Sequence, residues 1–392
     1  VNTGQRTNGT DTRPPPWRDV RVLRITVQVA FLAGVAALLW LLANNLVQNM
    51  QAQGMRTDFG FLGQAAGFPL AGADFSSRDS IWAALVVGLR NTLVVSAWGI
   101  VLATVLGVFV GIARLSSNWL VRKCAAAYVE ALRNIPLIVF LLFLYLAILQ
   151  QLPRINDAID GGGFVFSNRG LYAPWFDVDD DSGLFLGFCA VAIVLSIVVV
   201  RWRTRRFNAT GQPHHRIVWG AVTFGVVVGV AWLALGQPVS VTLPVLDGRT
   251  VSGGYELTVE HGALLLGLVL YMAAFVAEIV RGSILAVPKG QAEAANALGL
   301  SGAQRYRHVV LPQALRIAIP PAGNEFINLA KNSALGIAIA FPELLRVTRI
   351  AIGQGQPAPQ LIGIMMLMYL AISLTLSLIV NVLNRRLGLR GV

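Results

Sequence analysis

Charge is scarce in this chain: 13% of its 392 residues are Asp, Glu, Lys or Arg, about half the usual share for a soluble domain. Cysteine is nearly missing, with Cys124 and Cys189 alone, so neither a disulfide framework nor a zinc framework is implied. The dipeptide Gly-Lys occurs nowhere, which excludes the G-x-x-x-x-G-K-[ST] loop that cradles nucleotide phosphates. An H-E-x-x-H metal helix and a paired His/Asp constellation are also missing, so nothing points to an intramembrane enzyme. No internal repeat is visible, which argues against a transporter built of inverted halves.

What fills the chain is apolar: 55% hydrophobic residues and a mean hydropathy of +0.65. Runs near 22–46, 91–113, 135–152, 184–200, 217–236, 262–283 and 361–384 approach or exceed the length that crosses a hydrocarbon core, about 20 residues. A weaker run at 314–341 makes eight. The reading is an all-α polytopic membrane protein of about eight transmembrane helices. The first run is too long for a signal-peptide core and is expected to be retained.

Basic residues in short loops set orientation. The 201–216 loop holds Arg201, Arg203, Arg205, Arg206 and Arg216 without an acid, whereas 153–183 carries Asp157, Asp160, Asp177, Asp179, Asp180 and Asp181 against Arg154 and Arg169. The first is expected inside and the second outside. Both termini then lie in the cytoplasm, and the net charge of +12 reflects topology rather than nucleic-acid binding. One loop disagrees: 342–360 should be external, yet it carries Arg346 and Arg349 against Glu343. His214 and His215, without acidic or Cys neighbours, are expected to be solvated, and no metal site is expected.

Residues 1–20, with Pro14-Pro15-Pro16, read as a disordered cytoplasmic lead. An N-terminal span and external loop follow over 21–84, then a transmembrane domain over 85–385, and a cytoplasmic tail over 386–392. The Gly-rich external loops 47–84 and 153–183 are expected to fold as small caps.

A polar island separates two of the apolar runs. Glu293, Ala294, Ala295, Asn296, Ala297 and Leu298 favour helix, Gly299 can adopt positive φ, and Ser301 can cap a second helix. That predicts a helix-turn-helix along the membrane face, with Glu293 offering a carboxylate to a basic partner and Pro312 in the first turn of the next span. The spacing Glu293-Ala294-Ala295, Gly299, Val309-x-Leu311-Pro312 resembles the signature loop of ABC-importer permeases, with Val309 where isoleucine is usual. The resemblance extends to Gly88-Leu89-Arg90-Asn91-Thr92-Leu93, Tyr128-Val129-Glu130, Arg133-Asn134-Ile135-Pro136, Glu278-Ile279-Val280-Arg281-Gly282, Pro288, Gly290, Gln291, Pro320, Asn324 and Lys331-Asn332-Ser333. Ile135 stands where threonine is expected.

This set is similar to permeases for polar amino acids. The extra N-terminal span, a two-span insertion at about 153–260 and Asn168-Arg169-Gly170 resemble the larger general L-amino-acid or glutamate/glutamine/aspartate/asparagine permeases. The resemblance implies a type I importer core and makes Glu293, Ala294, Ala295, Gly299, Leu311 and Pro312 a coupling helix for a separate ATPase subunit. It also implies ATP and Mg bound by that subunit with no cofactor in this chain, a second permease subunit, an external or periplasmic binding protein, and a bacterial inner-membrane location.

Charges inside a membrane are costly, so they face a cavity or a partner. Asn324, Asn328 and Lys331 share a helical face beside Glu325 and Ser333, a candidate path for a zwitterionic substrate. Alternatively, Lys331 pairs with Glu325 or Glu278 and only holds the bundle together. Glu278 and Arg281, at i and i+3, suit a structural ion pair. Gly107 and Gly111 allow close helix approach. An ion-coupled secondary amino-acid transporter is the rival reading, with Glu278, Glu325 and Lys331 as coupling groups, and it leaves the 293–312 pattern unexplained.

Overall fold

The computed structural model describes residues 20–386, apart from 55, 71, 73–74, 179–181, 212–214, 237–238 and 249. The expectations for the N-terminal lead, for Asp179 to Asp181, for His214 and for the tail beyond 386 lie outside the described residues.

Twelve helices and eight short strands are described. Helix α1 (Val20–Ala52) is exposed along almost all of its described residues, Met50 alone among them being buried. Helix α2 (Ile81–Ala113) starts on an N-cap from Ser80, whose hydroxyl accepts from the Ala83 amide. Helix α3 (Trp119–Asn134) meets α4 (Leu137–Phe143) at a bend of 107°. Pro136 dictates that break, because its ring removes a donor and pushes Ile135 to extended backbone. Beyond α4 the helix loosens into a π-turn and a 3₁₀ turn ending at Gln151.

Helix α5 (Ser182–Thr210) and α6 (Arg216–Ala234) form a hairpin held between strands. Strands β1 (Ile159–Gly161), β2 (Phe164–Ser167), β3 (Gly170–Ala173) and β4 (Trp175–Val178) precede it. Strands β5 (Val239–Thr242), β6 (Val245–Asp247), β7 (Thr250–Ser252) and β8 (Tyr255–Thr258) follow it. The antiparallel order β1-β2-β3-β8 places Gly170 opposite Thr258, and β4 pairs with β5 so that Phe176 faces Val241. The strands before and after the hairpin therefore zip together at its base. The helical expectation describes the long segments, while these connections are β-structure: their short apolar stretches are interrupted by turn glycines every few residues, which suits strands.

Helix α7 (Val259–Leu285) runs from this sheet through the core and leads to α8 (Lys289–Ala297), α9 (Gly302–Arg305) and α10 (Leu311–Asn332). Helix α11 (Leu344–Gly353) and α12 (Ala358–Arg386) complete the chain. The core forms where α2 and α7 pack with α10, around Val95, Leu141, Leu268, Met272 and Leu329. Gly107 and Gly111 allow that contact: a Cβ at Gly107 would lie 2.6 Å from Val276 Cβ, and one at Gly111 would lie 2.8 Å from the Ala277 carbonyl oxygen. The loop before α2 folds inward, with Phe61, Phe68 and Leu70 buried against α2, α11 and α12.

Among the described residues, six helices are long and apolar enough to cross a membrane, or seven if the bent α3–α4 pair counts as one span. Eight is thus an approximate figure. The 135–152 run is α4 with its loosened extension, and the 314–341 run is α10 plus a 3₁₀ turn at Ser333–Ile339, apolar on one face only. Nor is 342–360 an open loop, because Leu344, Val347, Thr348 and Ala351 of α11 are buried.

Candidate coupling loop and polar helix face

The polar island folds as two short helices about Gly299. At the end of α8, the Gly299 amide donates to Asn296 O (2.9 Å) and the Leu300 amide donates to Ala295 O (3.2 Å). That pair of bonds is a Schellman closure, and it needs a residue at positive φ; Gly299 has φ +74°. Ser301 then caps α9, its hydroxyl accepting from the Gln304 amide while the Gln304 side chain accepts from the Ser301 amide. This reciprocal capping box satisfies two amides at the helix start.

Side chains tie the unit together. Arg305 Nη1 donates to Asn296 Oδ1 at 2.9 Å, and Gln313 Nε2 donates to Gln291 Oε1 at 3.3 Å, linking α8 to α9 and to α10. Beneath, Val287, Val310 and Ala314 make a small buried cluster joining the end of α7 to the start of α10. Ala295 is buried, whereas Glu293, Ala294, Gly299, Leu311 and Pro312 are exposed, and Leu298 at the turn is 80% exposed. The loop therefore offers a free carboxylate beside small and apolar side chains.

At the same end of the bundle, Glu278 of α7 accepts from Arg281 Nε at 3.2 Å, and Arg114 at the end of α2 closes on the same carboxylate. One carboxylate thus clamps α2 to α7 between two guanidinium groups. The Arg114 arm is not legible in the sequence, because i to i+3 spacing reveals only partners within one helix.

On α10, Asn324, Asn328 and Lys331 are exposed along one face and Glu325 is half-buried. Pro320 and Pro321 lie on the same exposed side, in the helix interior. Lys331 makes no ion pair with Glu325 or with Glu278, whose partners are the two arginines. Ser333 does not share this face. It is fully buried just past the helix end, and its hydroxyl donates to Ala330 O at 2.7 Å. Ser333 opens the seven-residue 3₁₀ turn, and at 3.6 residues per turn it already lies on the side of α10 opposite Asn324.

The structure reveals a further polar site. Glu343 is fully buried as the N-cap of α11, accepting from the Leu345 and Arg346 amides at 2.7 Å each and from Tyr369 Oη at 2.7 Å. Asn91 Nδ2 donates to Pro342 O (2.9 Å), and the Leu344 amide donates to Thr92 Oγ1 (3.2 Å). The Asn91-Thr92 pair thus binds α2 to the start of α11. A lone acid followed by apolar residues in a span-rich region was the available signal, but its burial depends on α2 and α12 folding over it.

The family described as binding-protein-dependent transport system inner membrane component matches residues 217–390. Over nearly the whole length, the chain is 40% identical to the general L-amino acid transport system permease protein AapQ of Rhizobium johnstonii, covering 96% of this chain and 93% of that protein. The chain belongs to the amino-acid ABC transporter permease family. It is also 39% identical to the putative amino-acid ABC transporter permease protein YhdX of Escherichia coli, across 92% of this chain and 93% of that one. The glutamate/glutamine/aspartate/asparagine transport system permease protein BztB of Rhodobacter capsulatus is 37% identical over 95% of each chain. Because these matches include the strands and the α5–α6 hairpin, those elements fall within the aligned length. An amino-acid ABC permease is a multi-pass transport subunit of a binding-protein-dependent system, and in this chain the α8–α9 unit and the polar face of α10 are exposed.

Proposed function

We propose that this chain lines the path of an ATP-driven importer for polar or general L-amino acids in a bacterial inner membrane, with both termini in the cytoplasm. The observation that carries the reading is the capped α8–Gly299–α9 unit. It is held to the ends of α7 and α10 by Gln313, Val287 and Val310, yet exposes Glu293, Ala294 and Leu298. A rigid, protruding element at the joint of two core helices can pass a displacement to both. Coupling then needs only a partner that grips it differently in two states.

In this account a separate ATPase subunit binds ATP and Mg and grips α8–α9. A second permease, identical or homologous, faces the exposed side of α10, and an external binding protein delivers the amino acid. Asn324 and Asn328 offer donors and acceptors, and Lys331 a cation, to the ammonium and carboxylate of a zwitterion. Relatives named for general L-amino acids and for acidic amino acids and their amides support this substrate class. Glu278 with Arg114 and Arg281 holds α2 and α7 in register at the cytoplasmic end.

The test is uptake of labelled amino acids by proteoliposomes holding the assembled complex. The reading expects accumulation only with internal ATP and external binding protein. Uptake by this chain without an ATPase subunit, driven by an ion gradient, would favour a secondary transporter.

A further inference from the structure

The α5–α6 hairpin is tied to the rest of the chain mainly through its strands and buries little of itself: 6% of the α5 window and 11% of the α6 window are buried. Between its two helices lies a groove of about 550 Å³ lined by Ile193, Ile197 and Val200 on α5, Ile217 and Phe224 on α6, and Arg201 at one end. The groove exists because α6 comes close at Gly220, where a Cβ would sit 2.5 Å from Val200 Cγ2. Positions 193, 197, 201 and 205 follow one another at intervals of four, so one row on α5 changes from isoleucine to arginine as it leaves the apolar groove.

The loop end is dressed for a membrane surface. Arg203 stacks over Trp219 at 4.5 Å, Arg206 over Trp202 at 4.2 Å and Arg216 over Phe207 at 5.5 Å. Tryptophans prefer the headgroup level, which fixes this end at the lipid interface. Arg201 and Arg205 are exposed and have no hydrogen-bond, ion-pair or ring partner among the described residues. The 201–216 segment carries five arginines and no acid. Chain direction puts this end on the same side as α8–α9, since α5 leaves the β-strand layer, α6 returns to it and α7 departs from it again.

We propose that the α5–α6 groove is a binding site for one anionic phospholipid of that leaflet. An acyl chain lies along Ile193, Ile197 and Phe224, and the phosphate sits on Arg201 and Arg205. Charge complementarity selects the occupant: a trough apolar but for Ser196, ending at Arg201 with Arg205 one helical turn beyond, fits a molecule with a long tail and an anionic head, and basic pockets between spans on the cytoplasmic side bind such headgroups. Arginine forks match phosphate oxygens bidentately. The site lies outside the path and the coupling loop, so the proposal does not depend on which amino acid is carried.

The experiment is native mass spectrometry of the full chain, purified in mild detergent and offered equal amounts of dioleoyl phosphatidylglycerol and dioleoyl phosphatidylcholine. The native protein should retain phosphatidylglycerol selectively. The pair Arg201→Gln and Arg205→Gln should lose roughly fivefold in that preference per arginine removed, while Arg201→Lys with Arg205→Lys keeps most of it. Ile217→Trp fills the trough and leaves both arginines, so it should weaken phosphatidylglycerol retention without admitting phosphatidylcholine. Equal retention of the two lipids by the native chain would overturn the proposal. So would an unchanged preference in the glutamine pair, displacement of the lipid by glycerol phosphate alone at equal concentration, or an acidic protein or second copy of the hairpin in the groove. If the glutamine pair does not fold, the lysine pair and Ile217→Trp still decide.

Discussion

The hydroxyl of the half-buried Tyr369 on α12 donates across 2.7 Å to the carboxylate of Glu343, the fully buried cap of α11. With Asn91 and Thr92 holding the adjacent backbone from α2, the pair joins three helices through one acid. A buried polar group is costly unless its partners are all in place. Tyr369→Phe removes one donor and should cost about 1–3 kcal/mol. Glu343→Ala should cost more, since it also forfeits a cap worth about 1 kcal/mol. The measurement is thermal unfolding in detergent. Equal stability of native and Tyr369→Phe proteins would show that the bond carries nothing.

Close approach of α2 and α7 rests on missing side chains. Gly107→Leu would drive atoms into Val276 and the Ala273 carbonyl oxygen, the latter 3.0 Å from a Cβ at that site. Overpacking of this kind costs about 1–3 kcal/mol. Gly34 of α1, with nothing within 4 Å, should accept leucine at no comparable cost. Comparing the two melting temperatures checks the packing argument.

The three-charge clamp predicts a sign. Glu278→Gln leaves Arg114 and Arg281 facing each other without a counter-charge, so it should loosen the α2–α7 end more than Arg114→Gln does. The double variant Glu278→Gln with Arg114→Gln should recover part of the loss, a coupling of about 1 kcal/mol. Protease sensitivity of the α2–α3 connection reads it out. Simple additivity would mean the clamp is not a unit.

The polar face of α10 predicts a kinetic pattern. Asn324→Ala and Lys331→Ala should assemble normally, because both side chains are exposed in the isolated chain, and should raise the substrate concentration for half-maximal uptake by roughly tenfold, about 1.4 kcal/mol. Ser333→Ala should act on stability instead, since its hydroxyl bonds the Ala330 carbonyl inside the protein. Unchanged uptake in both α10 variants would place the path elsewhere.

The sequence carried those features whose cause is local. Gly299 and Ser301 specify a turn and a cap by residue type alone, and the long apolar runs specify spans. Gly107 and Gly111 announce a close contact without naming the partner, which α7 supplies through Val276 and Ala277. What stayed hidden depends on distant chain segments. Arg114 is 164 residues from Glu278, β3 meets β8 only after the hairpin closes, and Glu343 looks like a loop acid until α2 and α12 surround it. Ser333 belongs to the same polar run in sequence but lies across the helix from Asn324 at 3.6 residues per turn, where it is buried.

The central claim is that α8–Gly299–α9 is the contact through which an ATPase subunit works this chain. Gly299→Pro cannot adopt φ +74° and deletes the amide that bonds Asn296 O, and Glu293→Arg reverses the exposed carboxylate. The decisive measurement is co-purification of partner subunits with the tagged native chain and with the Glu293→Arg, Gly299→Pro double variant, each checked for folding by its melting curve. The account predicts an ATPase subunit with the native chain and its loss from a variant whose spans melt normally. An ATPase bound equally to both forms, or bound to neither, would contradict it.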